Sequence, residues 1–185
     1  MEDLADQVKN YRTPDDAKSL VASMQIALIA GVAAAGKDSI LHGLLADQKH
    51  FARIITTVPR APRPGETEGI SYYFIDEARV RRNLAERKYF ETKLVHGRVY
   101  GTTNAELSRI AEQQKIAIGD VDVQGVEEYH RVLGAKLHAI FVIPPSFQVW
   151  QTRWANRGDA TNADEKKRRV ASAEAELDFA LRADY

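Results

Sequence analysis

The residues with the clearest chemical potential lie in the stretch GVAAAGKDSI, which begins at Gly31. Gly31, four intervening residues, Gly36 and Lys37 have the spacing of a phosphate-binding loop. In such a loop, backbone N–H groups surround phosphate oxygens and the lysine reaches the β- and γ-phosphates of ATP. A strand-like segment, QIALIA, precedes the loop and a helix-like segment, LHGLLA, follows it, as the motif requires. The predicted ATP-binding residues are Gly31, Val32, Ala33, Ala34, Ala35, Gly36, Lys37, Asp38 and Ser39.

The residue after the lysine departs from this motif. The motif has Ser or Thr there to bind Mg²⁺, whereas this chain has Asp38, with Ser39 one residue later. A carboxylate is also a hard oxygen ligand that suits Mg²⁺. However, it brings negative charge close to a triphosphate. Asp38 therefore has two possible effects, metal binding or repulsion of the nucleotide. For the loop as a whole, the alternative to a phosphate site is a strand-to-helix turn that binds no ligand.

A second chemically suggestive stretch is TTVPRAPRPGETEGISYYF. It places Arg60 and Arg63 in a loop stiffened by prolines. Guanidinium groups bind phosphate oxygens two at a time, and proline lowers the entropy lost when a loop becomes ordered. The stretch predicts a second phosphate site, and a charged surface turn is the alternative.

The composition limits the classes of protein to consider. The 185 residues fit one domain, and 26 basic against 26 acidic residues give a net charge of zero, so no nucleic-acid or membrane surface is indicated. The absence of cysteine excludes disulfides, thiolate metal sites and a cysteine nucleophile. The N-terminus lacks a signal-like apolar core, and the apolar run 24–36 is too short to span a bilayer. We therefore expect a cytoplasmic protein.

The elements that must position these residues follow from periodicity. Strands that are apolar throughout alternate with helices, which predicts a parallel sheet covered on both faces. The segment 60–104 interrupts this alternation with short strands. Strands are predicted over 25–31, 52–58, 71–75, 89–103 (a pair), 115–123 and 136–143. Helices are predicted over 39–46, 76–88, 105–113 and 125–133, and from a Ser146 cap to about 156. The polar stretch RGDATNADEKK follows, and after it a long helix is predicted to the end of the chain.

Residues 1–23 are predicted to form one or two short helices. Leu4, Val8 and Tyr11 fall on one helical face. Thr13 followed by Pro14 and two aspartates has the composition of a helix start, with Thr13 as the cap. Both helices would present an apolar face to the main body or to a partner.

Five ordered motifs make the chain resemble guanylate kinases over about 25–185: RAPRPGETEGISYYF, YFETKLVHGRVYGTT, GDVDVQG, AIFVIPPS and NRGDATNADEKKRR. The resemblance implies an α/β P-loop nucleoside monophosphate kinase fold, with a parallel sheet flanked by helices, a small mixed β GMP-binding subdomain and a helical lid. The implied division is a helical extension over 1–23 and a kinase-like domain over 24–185. Within that domain lie a core (24–57, 105–150 and 170–185), the GMP-binding subdomain (58–104) and the lid (151–169).

The resemblance also implies roles for individual residues. Two carboxylates would accept hydrogen bonds from guanine N1–H and N2–H₂, while arginine and tyrosine side chains would hold the GMP phosphate. The implied GMP-binding residues are Thr56, Arg60, Arg63, Glu66, Tyr72, Glu91, Tyr100, Thr102 and Asp122. The implied catalytic residues are Lys37, Arg60, Arg153, Arg157, Arg168 and Arg169. The implied metal residues, direct or through water, are Asp38, Glu66 and Asp120.

Several positions depart from the family pattern. The family has Ser or Thr at position 38, and it has glycine where this chain has Ala34, at a loop position that can require unusual dihedral angles. Val58 and Pro59 replace a Thr-Thr pair. The lid is one residue longer, which leaves the choice between Arg168 and Arg169 open.

The resemblance predicts Mg²⁺-dependent transfer of the ATP γ-phosphoryl group to GMP, with small nucleotides and neither nucleic acid nor membrane as partners. Two alternatives remain. Asp38 and Ala34 motivate a guanylate-kinase-like binding module without catalysis. A related kinase acting on ribose bisphosphate is the other, because some such kinases share Gly-Lys-Asp-Ser in the loop.

Overall fold

The computed structural model describes residues 3–95, 97–156 and 163–182. Within these ranges the chain forms eight α-helices and eight β-strands. The helices are α1 (Leu4–Asn10), α2 (Asp15–Ser23), α3 (Lys37–Leu45), α4 (Glu77–Ala85), α5 (Asn104–Glu112), α6 (Val123–Leu133), α7 (Phe147–Asn156) and α8 (Ala163–Arg182). The strands are β1 (Ile26–Gly31), β2 (Phe51–Arg53), β3 (Thr57–Val58), β4 (Tyr73–Phe74), β5 (Tyr89–Val95), β6 (Arg98–Thr103), β7 (Ile116–Asp120) and β8 (His138–Val142).

The main sheet is parallel and has the order β2-β7-β1-β8. Ile29 of β1 pairs with Asp120 of β7, so the two strands end at the same edge of the sheet. In open α/β sheets, this edge is where ligands bind. The phosphate loop after β1 therefore lies beside the acidic segment after β7.

A second, mixed sheet has the order β4-β3-β6-β5, with β3 and β4 parallel and the other pairs antiparallel. Together with the parallel sheet, it agrees with the fold that the resemblance implies. The single strand predicted over 52–58 is wrong, because β2 and β3 belong to different sheets. The chain leaves the main sheet where the buried Glu106 carboxylate accepts the Ile55 N–H at 2.9 Å in place of a strand partner.

Two apolar clusters stabilise the two sheets. The main core contains Leu28, Leu107 and Tyr129, together with Ala17 and Val21 of α2. The subdomain cluster contains Val80, Leu84, Tyr89 and Val99, and Leu4, Val8 and Tyr11 of the first eleven residues pack against it. The predicted apolar faces of α1 and α2 are therefore confirmed. No described helix is both long and apolar enough to cross a membrane.

Two local predictions were wrong. Helix α2 has Pro14 rather than Thr13 at its N-cap, because the Thr13 hydroxyl instead donates to the Phe90 carbonyl at 2.6 Å. Strand β8 is not buried on both faces, since His138 and Ile140 are exposed. Within the described main sheet, β8 is an edge strand, and apolar composition alone does not distinguish an edge from a centre.

Gly31 provides a test of this packing. A Cβ there would lie 2.2 Å from the Val142 carbonyl oxygen, with φ at +136°. We expect Gly31→Ala to lower the free energy of unfolding, measured in urea, by about 3 kcal/mol or more. In the control Gly43→Ala, the new Cβ would have no described atom within 4 Å, and the same free energy should stay unchanged or rise by about 0.5–1 kcal/mol. Equal stabilities of the two variants would contradict this packing.

Candidate active site

The phosphate loop has the backbone that its sequence requires. Gly31 and Gly36 have φ of 136° and 114°, and Ala34 has φ of 63°. The left-handed region costs an L-residue with a side chain about 1–2 kcal/mol, whereas glycine enters it freely. The unusual dihedral angles expected where the family has glycine are thus present, and the loop retains them with alanine.

Side chains from two helices fix this loop by binding its carbonyl groups. The Lys37 ammonium donates to Gly31 and Val32. From α7, Trp150 Nε1 donates to the Ala33 carbonyl and Arg153 donates to the Ala35 carbonyl, each at 2.8 Å. The cation of Lys37 is therefore held at the loop, where an incoming phosphate would be bound.

The remaining donor-side residues are placed as follows. Asp38 and Ser39 lie exposed in the first turn of α3. Arg153 approaches the loop through its bond to the Ala35 carbonyl. Arg168 and Arg169 lie within α8, and Arg157 falls outside the described residues.

At the predicted acceptor-phosphate site, Arg60 and Glu66 form a two-pronged ion pair with N–O distances of 2.5 and 2.7 Å. The Arg60 guanidinium lies 5.2 Å from the centre of the Tyr72 ring. Its hydrogen bonds hold the pKa of the Glu66 carboxyl at about 2, so this carboxylate stays ionised at neutral pH. Glu66 also accepts the Arg63 backbone N–H at 2.8 Å, while the Arg63 residue is exposed. Glu66 thus shapes the arginine loop.

Glu91 forms the predicted guanine-reading position on β5. Its residue is 4% exposed, and the carboxylate accepts hydrogen bonds from Thr102 N at 3.1 Å and from Thr102 Oγ1 at 2.7 Å. Burial raises the pKa of the Glu91 carboxyl, and the nearby Lys93 ammonium opposes this rise. Glu91 is therefore held rigidly, in a place where its ionisation depends on neighbouring charge.

Asp122, the second carboxylate that the resemblance assigns to guanine, lies at the start of α6. It caps this helix by accepting the Gly125 N–H at 2.9 Å. The Lys93 ammonium lies 3.2 Å from Asp122 Oδ1, and the Lys93 side chain is only 14% exposed. One lysine therefore lies beside Asp122 and acts electrostatically on Glu91, the two carboxylates that the resemblance assigns to guanine.

A cleft of about 250 Å³ joins the two ends of the site. It brings the phosphate loop together with five of the residues predicted for GMP or metal. Arg60 contacts the cleft wall through Tyr72, and Glu91 lies two residues before Lys93 on β5. The predicted residues that line the cleft are Gly31, Ala33, Lys37, Thr56, Tyr72, Tyr100, Asp120 and Asp122.

The predicted metal residues do not form a metal-binding cluster. Among the described residues, no group of three or more His, Cys, Asp or Glu side chains could hold a metal ion. Asp120 lies 3.4 Å from the Arg53 guanidinium, and both oxygens of Glu66 bind Arg60. Since Mg²⁺ is commonly held by one or two carboxylates together with substrate phosphates, this donor set still fits the ion.

The sequence analysis did not predict four of the polar residues that line the cleft: Arg53, Ser71, Lys93 and Glu176. Lys93 could have been found, because alternate residues of a strand share a face and it follows Glu91 by two positions. Glu176 had no such signal, since only the packing of α8 brings it to the cleft. Burial raises the pKa of the Glu176 carboxyl, and the Lys37 ammonium opposes this rise.

Comparison with known proteins finds one family. A guanylate kinase family profile matches residues 23–182. Guanylate kinase from Methylobacillus flagellatus is 32% identical over 158 residues, which cover 85% of this chain and 77% of that protein. Guanylate kinase from Porphyromonas gingivalis is 32% identical over 160 residues, covering 84% of each chain.

A solved structure supports the fold. The crystal structure of guanylate kinase from Anaplasma phagocytophilum matches with a TM-score of 0.66 at 23% identity, over 88% of this chain and 76% of that one. Its likeness confirms the expected architecture of a parallel sheet flanked by helices with an added mixed sheet. From the family profile and the curated relatives, the chain belongs to the guanylate kinase family of nucleoside monophosphate kinases.

Proposed function

We propose that this guanylate kinase transfers the γ-phosphoryl group of Mg²⁺-bound ATP to GMP in the cleft described above, giving ADP and GDP. The observation that carries the proposal is the cleft itself. It joins Lys37 of the phosphate loop to Tyr72, Tyr100 and Asp122 on the acceptor side. Two phosphate groups bound at its two ends would be held for direct transfer, which is the main requirement of phosphoryl transfer catalysis.

The two sheets support the proposed division of the chain, since the four strands of the mixed sheet lie within 57–103. We assign 58–104 to GMP binding, 151–169 to the lid, and 24–57, 105–150 and 170–185 to the core, with 1–23 as an extension. We also propose a cytoplasmic location and no nucleic-acid partner, which the balanced charge and the absence of cysteine support.

The acceptor phosphate is assigned to Arg60, Arg63, Tyr72 and Tyr100. The phosphate of GMP is already ionised, so its oxygen can attack without a strong general base. Glu66 and the Tyr72 ring fix the position of the Arg60 guanidinium. Arg63 is exposed and would approach the phosphate from solvent. These cations would reduce the repulsion between the two anionic reactants.

The guanine base is assigned to Glu91 and Asp122, assisted by Thr56 and Thr102. Both carboxylates can accept hydrogen bonds from guanine N1–H and N2–H₂, whereas adenine lacks this pair of donors. A buried carboxylate left without its donors is costly, so the site should reject adenine strongly. Lys93 places positive charge 3.2 Å from Asp122 Oδ1 and opposes the rise that burial causes in the pKa of the Glu91 carboxyl.

The donor side is assigned to the phosphate loop, Lys37 and the lid arginines Arg153, Arg157, Arg168 and Arg169. A bound Mg²⁺ would supply positive charge that neutralises part of the negative charge of the ATP phosphates. Asp38 and Asp120 would hold it directly or through water, with Glu66 as a third candidate. Lys37 and Arg153 would bind phosphate oxygens as the cleft closes and excludes water.

The function is tested by an acceptor panel. ADP release should depend on GMP or dGMP and should be far weaker with AMP, CMP, UMP or ribose bisphosphate. Lys37→Met should lower kcat by about 100-fold or more, since it removes the cation at the loop. GMP binding by calorimetry without turnover would favour a binding module, and absence of GMP-dependent turnover would contradict the proposed activity.

A second prediction concerns Asp38. If its carboxylate contributes to the metal site, Asp38→Ser should change the Mg²⁺ concentration for half-maximal activity by about fivefold or more, with the KM for GMP nearly unchanged. Asp47→Ser is the matched control, because Asp47 is an exposed carboxylate that binds His50 beyond the end of α3. A change in the KM for GMP alone would argue against a metal role.

A third prediction concerns pH. Ionised Glu91 offers both carboxylate oxygens as acceptors to the guanine donors, whereas protonation turns one of them into a donor. The kcat/KM for GMP should therefore fall as pH falls through the raised pKa of Glu91. Lys93→Met removes the charge that opposes this rise, so the acid limb should move to higher pH. Lys88→Met is the control, since Lys88 instead pairs with exposed Glu86. Equal pH profiles for the wild type and Lys93→Met would refute this role.

A further inference from the structure

The first residues of the chain contact the strand that carries Glu91. Residues 3–22 of the extension precede the segment that matches the family profile. The Tyr11 hydroxyl donates to the Tyr89 carbonyl at 2.5 Å and accepts the Tyr89 N–H at 3.0 Å. Pairing between β5 and β6 is irregular between Tyr89 and Glu91. Tyr11 thus satisfies both backbone groups of Tyr89 at the point where strand pairing is interrupted.

Thr13 makes the second connection. Thr13 is 6% exposed, and its hydroxyl oxygen lies 2.6 Å from the Phe90 carbonyl and 2.9 Å from Glu128 Oε1. One hydroxyl has one proton, so it donates to one of these acceptors at a time. Phe90 directly precedes Glu91 on β5, and Glu128 belongs to α6, the helix that Asp122 caps. Thr13 therefore touches both elements that carry the guanine carboxylates.

The extension also crosses the boundary between the two apolar clusters. Tyr11 packs with the subdomain cluster, and its ring lies edge-on to Tyr89 at 6.4 Å. Ala17 and Val21 belong to the main core. Strand β5 crosses the same boundary, since Tyr89 belongs to the subdomain cluster and Phe90 to the main core. The extension thus follows β5 across the junction between the two parts of the protein.

The contact between the extension and the site is not continuous packing. A cavity of about 560 Å³ separates α1 from β5 and α6, and Tyr11, Thr13, Glu91 and Glu128 are among its lining residues. This space borders Glu91. The hydrogen bonds of Tyr11 and Thr13 cross from the extension to β5 directly beside it.

We propose that Tyr11 and Thr13 are positioning residues that hold Glu91 at the separation from Asp122 that guanine binding requires. The inference rests on the proposed function, since it assigns both carboxylates to the base. A small misplacement of a binding group weakens the interaction steeply. Loss of these bonds should therefore weaken GMP binding selectively, because the phosphate loop and Lys37 lie on the other side of the cleft.

The test uses the full chain and steady-state kinetics in both substrates. Thr13→Val removes the hydroxyl at nearly constant shape, and Thr13→Ser retains it. Thr13→Val should raise the KM for GMP about tenfold, with the KM for ATP within about twofold of the wild type. Thr13→Ser should have the same KM for GMP as the wild type. Tyr11→Phe should act in the same direction as Thr13→Val. Calorimetry with GMP alone should show the same loss of affinity.

Ser19→Ala is the matched control, because the exposed Ser19 hydroxyl binds only the Asp15 carbonyl within α2 among the contacts described. It should leave both KM values unchanged. If Thr13→Val does not fold, Tyr11→Phe carries the test, since it removes the hydroxyl that binds the Tyr89 backbone. Lowered thermal stability with an unchanged KM for GMP, or equal changes in both KM values, would overturn the positioning role. If the wild type shows no GMP turnover, the proposed function fails instead, which separates the two failures.

Discussion

The parallel pairing of β1 with β7 is the constraint on which the site depends. Because the strands run in the same direction and Ile29 pairs with Asp120, their carboxyl ends lie side by side. The phosphate loop and the segment that leads to Asp122 therefore face one cleft. Strand β8 fixes the loop from the other side, where Gly31 approaches the Val142 carbonyl too closely for any side chain.

Charge pairing prepares this cleft for anionic substrates. Arg60 binds Glu66, Arg53 lies beside Asp120, and Lys93 lies beside Asp122. Buried ion pairs contribute little net stability, because desolvation offsets their attraction. Their value here is geometric, since each pair holds a functional group in place. Substrate phosphate and guanine would then compete for, or share, these existing partners.

The extension adds a restraint that belongs to this chain rather than to the region matched by the family profile. Its two polar contacts reach β5 immediately before Glu91, while α2 packs into the main core. The extension bonds to β5, which crosses the junction between the subdomain cluster and the main core. It can therefore influence substrate recognition without touching the substrate.

Local sequence determined much of this protein. The glycine spacing and Lys37 predicted the phosphate loop, periodicity predicted most helices and strands, and ordered motifs identified the guanylate kinase family. These features are readable because each depends on neighbouring residues, namely backbone freedom at glycine, helical periodicity and short motif spacing.

Tertiary structure decided the features that depend on contacts between residues distant in sequence. Residues 52–58 divide between two sheets because Glu106, far along the chain, accepts the Ile55 N–H. Thr13 resembles a helix cap in sequence but bonds to Phe90 instead. Glu176 reaches the cleft only because α8 packs there. Each of these outcomes is a competition for hydrogen bonds or space between segments distant in sequence, which no local pattern records.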